Sequence, residues 1–180
     1  IQQLQSESWI EQAEALHYLG EHRVEMAARP VRSLLEAKTV HPWTRGQALL
    51  SLSHIEGKVD PGEFGRWVAH ADAAVRAAAA EVLESYGGNS AMTWIEILLK
   101  DSDLVVKCHA AAALARRREA AAWNVVNPLT LEPSVSAARA SARALAFTGT
   151  AEALLRLTTQ ISKPDLLRES LRGVRSIEDP

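Results

Sequence analysis

Apolar residues along 72–116 recur at helical spacing, and then the whole pattern starts again. Asp72, Val75, Arg76, Ala79, Ala80 and Leu83 return as Asp103, Val106, Lys107, Ala110, Ala111 and Leu114, each 31 residues further on. Positions spaced three and four apart fall on one face of a helix, so each copy predicts an amphipathic helix. The register reaches back to Arg45, Ala48 and Leu52 and forward to Ala137, Ser141, Ala142 and Leu145. A second stripe runs between these helices. Phe64, Trp67 and Val68 align with Ile95, Leu98 and Leu99, then with Val126, Leu129 and Thr130. Each period is therefore a pair of helices, and no stretch alternates as a strand does.

Taken in order, the first helix is predicted over 8–19, with Trp9, Ala13, Leu16 and Leu19 as its stripe and Gly20 as its stop. A second is predicted over 23–37, carrying Val31, Leu34 and Leu35. Pro30 lies inside that span and has no amide to donate, which predicts a kink or a late start. The pairs cover roughly 7–39, 40–70, 71–101, 102–132 and 133–163, with a final helix at 164–176. One pair cannot bury its own apolar face, so neighbours must stack over a shared core. The expected architecture is all-α, a right-handed α-α superhelix of about five helix pairs plus a terminal helix. It is read as a single repeat domain over 1–180, a piece of a longer protein. The alanine-rich C-terminal end leaves self-association through the solenoid ends open.

The stretch 98–115, LLKDSDLVVKCHAAAALA, resembles the HEAT repeat, above all the short HEAT-like form of phycobilisome-lyase-type repeats. The residues that carry the likeness are Asp101, Asp103, Val106, Lys107, Ala110, Ala111 and Leu114, and the 72–83 copy matches as well. The resemblance covers about residues 40–161. It implies that the basic column Arg45, Arg76 and Lys107 ties adjacent repeats together. It also implies that the side of the second helices away from the core lines a concave surface. The candidate protein-binding residues there are Arg66, Trp94, Ile97, Lys100, Asn124 and Thr159, with Thr93 beside them.

Trp94 stands out in that set. Its repeat equivalents are Glu63, Val125 and Arg156, so the fold does not require an apolar group there, and Trp94 is the best single candidate for an exposed aromatic contact. Ile97, one turn on, either joins Trp94 in a small apolar spot or widens the core stripe with it. Trp9, Trp43, Trp67 and Trp123 read as packing residues.

Composition narrows the functional classes. The hydrophobic fraction is 47%, much of it alanine, and the net charge is −2. Residues 1–90 carry 8 basic and 12 acidic side chains, and residues 91–180 carry 12 and 10. That balance disfavours nucleic acid. HEAT-like DNA glycosylases use a basic concave face, whereas the column here reads Arg66, Ile97, Pro128 and Thr159. Cys108 is the only cysteine, so no internal disulfide forms, which slightly favours a reducing cytoplasm. No membrane span or signal segment is predicted.

The six histidines form no HExxH pair, Gly87-Gly88 is a turn without a following Lys-Ser/Thr, and no nucleophile stands beside a base. The expectation is a non-enzymatic scaffold that presents a concave helical surface to a protein or peptide, with no catalytic, cofactor or metal residues. The alternative is a spacer within a larger enzyme, either of lyase type or a dehydrogenase–haem fusion.

Overall fold

The computed structural model of the chain describes residues 1–57, 61–86, 90–117, 122–129 and 145. Among these, every regular element is helical: α1 (Trp9–Glu21), α2 (Ala28–Glu36), α3 (Pro42–Glu56), α4 (Pro61–Val68), α5 (Ala73–Ser85), α6 (Ala91–Leu98), α7 (Leu104–Arg116) and α8 (Ala122–Leu129). Short 3-10 turns cover Gln2–Gln5 and Glu25–Ala27. The predicted fifth pair, Leu145 apart, and the final helix lie outside the described residues, as does the side chain of Trp123. The chain forms two compact units, one of Ile1–Val82 with Tyr86–Trp94, the other of Leu83–Ser85 with Ile95–Pro180.

In the first unit α1 and α2 both pack on α3. Leu16, Val31, Leu35, Ala48, Leu49 and Leu52 form its core. Two buried hydroxyls on α3 bond back to carbonyls of α1, Thr44 to Trp9 and Ser51 to Leu16, so that neither polar group is buried unpaired. Pro30 takes the late-start option. The chain makes a 3-10 turn at Glu25–Ala27, and α2 begins at Ala28, which puts Pro30 in the first turn, where no amide is needed.

Gly20 requires a correction. It does not stop α1, which runs to Glu21. A Cβ at Gly20 would sit 2.8 Å from Ser51 Cα, so this glycine is what lets α1 and α3 approach so closely. Gly46 does the same one helix on, where a Cβ would meet the Ala74 carbonyl oxygen at 3.0 Å.

The helix starts repeat as well. Asp72 and Asp103 cap α5 and α7 by accepting the amides of Ala74 and Val105. His41, the equivalent residue, caps α3 through Nδ1, accepting the Trp43 amide at 3.2 Å ahead of Pro42 at the first helical position. Two of the three residues in the basic column perform the tying role, whereas the Lys107 side chain makes no such bond among the described residues. Arg45 donates to the Ala37 carbonyl at 2.6 Å, and Arg76 to those of His70 and Ala71 at 2.8 and 2.9 Å. Each guanidinium thus holds the carbonyls that end the preceding pair.

In the second unit α7 packs on α8. Val106, Cys108, Ala110 to Ala113, Leu114 and Ala115 are all buried, so α7 is covered nearly all round. Arg117, just past the end of α7, donates to the Leu83 carbonyl at 2.7 Å and to that of Ala113 in the last turn of α7.

Gly65 differs from Gly20. It lies inside α4, and an added Cβ would meet nothing within 4 Å among the described residues. Gly65→Ala is therefore expected to stabilise the protein by about 0.5–1 kcal/mol through helix propensity. A rise in the urea midpoint at unchanged slope is the reading that bears this out, and a fall would show that α4 needs the glycine.

Candidate functional site

The second helices of successive pairs carry charge at the repeat spacing. Arg32 on α2 donates to Glu63 on α4, 31 residues away, at 2.9 Å, and to Glu56 at the end of α3 at 2.6 Å. The hydrogen bond that Arg32 donates to Glu56 raises its pKa above the ordinary value; partial burial lowers it, and the bond to Glu63 raises it further. Arg66, one turn along α4, pairs with Glu36 at 3.2 Å and with Glu63 at 3.7 Å. Its guanidinium lies 4.3 Å from the centre of the Trp67 ring. Five charged side chains thus form one line, Glu56–Arg32–Glu63–Arg66–Glu36. At these exposures each pair contributes well under about 1 kcal/mol, so the line matters more for shaping the surface than for holding it together.

This line edges a cleft of about 800 Å³ between α2, α3 and α4. Its apolar side comes from Leu35, Leu49, Leu52, Phe64 and Trp67. Its polar side has Arg32 with three carboxylates, Glu25, Glu56 and Glu63, and the Ser53 hydroxyl. The volume falls within the roughly 300–1,000 Å³ of typical ligand sites. Sequence reading missed this cleft. The available signal was a basic and an acidic residue one repeat apart, at 32 and 63.

The predicted surface residues are distributed as follows. Arg66 is exposed and belongs to the charged line just described. Trp94 is not an exposed ring: it is half-buried, 4.9 Å from Phe64 and 6.1 Å from Tyr86, so it extends the aromatic packing of α4. Ile97 is 52% exposed, and Lys100 and Asn124 are exposed too. Arg66 and Trp94 belong to the first unit, Ile97, Lys100 and Asn124 to the second. Thr159 lies outside the described residues.

The packing role expected for Trp9 and Trp43 is also corrected, since they are 43% and 51% exposed. Both sit in the first turn of a helix, beyond the reach of the core. Trp9 stacks on His41 at 4.7 Å.

Elsewhere, one buried acid–base pair went unnoticed in the sequence. Glu84 on α5, 5% exposed, places Oε1 3.8 Å from Nδ1 of His109 on α7. Among the described residues no group of three His, Cys, Asp or Glu is arranged to hold a metal, and no helix is long and apolar enough to cross a membrane.

No family model matches the chain, and no curated protein matches it in sequence. Among the solved structures that resemble it are these two. Human deoxyhypusine hydroxylase, determined in complex with glycerol, matches over 98% of this chain and 82% of its own, at 13% identity and a TM-score of 0.52. An engineered protein matches over 98% and 94% at 20% identity, with a TM-score of 0.47. With the helix pairs above, the first likeness establishes the fold as an all-α, HEAT-like helical repeat. It also corrects the expectation of a non-enzymatic chain. A HEAT-repeat enzyme is built on this fold over nearly the full length of the present chain, so the fold gives no ground for setting catalysis aside.

Proposed function

We propose that this chain is the HEAT-like repeat part of an enzyme, where it holds a polypeptide against the second helices of its repeats. The observation that carries the reading is the cleft between α2, α3 and α4, which combines an aromatic and aliphatic wall with a charged edge. Peptide grooves use that combination, apolar pockets for affinity and a few polar groups for choice. The enzymatic setting is supported by the likeness to deoxyhypusine hydroxylase. Arg66 joins the cleft edge through Glu63 and would extend the contact along α4. The phycobilisome-lyase-type subclass rests on the repeat motif alone.

The reading is tested by passing a random peptide library over the immobilised chain and sequencing what is retained. Ser53 lines the cleft at intermediate exposure, so Ser53→Phe places a ring in it without removing a core side chain. The expected result is a defined set of retained peptides that bind the variant at least tenfold more weakly. Retention that is unselective, or equal on parent and variant, would remove the cleft from the function.

A further inference from the structure

The cleft's charge says what kind of peptide it suits. Its described lining sets three carboxylates, Glu25, Glu56 and Glu63, against one guanidinium, Arg32, leaving two negative charges beside an apolar wall. Nearby, the protein already shows how a cation sits in such surroundings. Arg66 lies over the Trp67 ring, donates to Glu36 and pairs with Glu63. Arg32 too is held by two carboxylates, Glu56 and Glu63. Lys and Arg side chains favour such places because the stem covers apolar surface while the head stays among water and carboxylates.

We infer that the cleft takes a basic peptide segment in which Lys or Arg alternates with apolar residues. The cationic heads lie among Glu25, Glu56 and Glu63, and the apolar side chains rest against Leu35, Leu52 and Trp67. An anionic segment meets the excess of carboxylate instead, and the two arginines of the line, Arg32 and Arg66, are each held by two glutamates already. The inference rests on the polypeptide-holding reading above and adds the chemistry of what is held.

Fluorescence anisotropy on the full chain separates the cases, using three labelled hexapeptides that alternate leucine with lysine, glutamine or glutamate. The lysine peptide is expected to bind at least tenfold tighter than the glutamine one, with the glutamate peptide weakest. Raising salt from about 50 to 500 mM should weaken it severalfold, as exposed charges are screened. Glu25→Gln and Glu56→Gln should each weaken the lysine peptide about threefold to tenfold while leaving the glutamine peptide unchanged. Glu25 makes no ion pair among the described residues, so its variant keeps the charged line intact and serves if Glu56→Gln disturbs the fold. Equal binding of the three peptides, preference for the glutamate peptide, or indifference to both substitutions overturns the inference. If the library yields neutral or acidic peptides that Ser53→Phe blocks, the polypeptide-holding reading stands and this one falls. If nothing is retained, both fall.

Discussion

Phe64→Ala is expected to destabilise the first unit by about 3–5 kcal/mol, the range for truncating a fully buried phenylalanine. Phe64 is among the largest fully buried side chains and touches three features at once. It packs on Trp94 with ring centres 4.9 Å apart, shares α4 with the charged line, and forms part of the cleft wall. Its loss therefore removes an aromatic pair as well as buried area. Urea unfolding followed by circular dichroism gives the value, with a shift in midpoint and little change in slope. A loss below about 1 kcal/mol would mean that Trp94 and Tyr86 close over the gap. The same variant should weaken peptide retention beyond what its fraction unfolded explains.

Gly20→Val is the second large effect, a loss of about 3 kcal/mol, at the upper end for overpacking. The atom a new Cβ would meet first is Ser51 Cα, at 2.8 Å, with the Ser51 side chain just behind it. Backbone cannot rotate out of the way, so α1 and α3 must separate. That movement also strains the buried bond from Ser51 to the Leu16 carbonyl. Gly20→Ala should lose less, because helix propensity returns about 1 kcal/mol of what the clash removes. Thermal or urea unfolding of the two variants side by side measures the difference. A neutral Gly20→Val would show that the helices are not held as closely as the geometry requires.

Much of the fold was legible in the sequence because it depends on positions that recur. The 31-residue period placed the helix pairs, and the Asp72 and Asp103 caps and the tying arginines at 45 and 76 follow from chemistry that acts within a few residues. What escaped depends on contacts between distant segments. Gly20 sits at the end of a helical stripe, where a stop and a close crossing look alike, and only the position of Ser51 separates them. Trp9 and Trp43 carry apolar rings in the right phase, yet the first turn of each helix projects past the core.

The candidate site was less legible still. Trp94 was singled out because its equivalents are polar or variable, whereas the neighbour that half-buries it, Phe64, lies 30 residues earlier. The cleft escaped because its edge pairs Arg32 with Glu63 across one full period, a separation that no short motif spans. The likeness to an enzyme lies in the shared path of the backbone, which at 13% identity leaves no motif to read.

The bond between Arg32 and Glu63 spans one whole period, and that bears on how this gene can change. Losing or duplicating 31 codons returns each later helix to the same angular phase, so the junction is remade from equivalent parts. A loss of 30 or 32 whose junction falls inside a helix leaves the rest of that helix turned by about 100°, so that its core face meets water. The heritable unit is therefore the repeat: length changes joined inside a helix should survive only as whole multiples of it, and other lengths only where a loop takes up the difference.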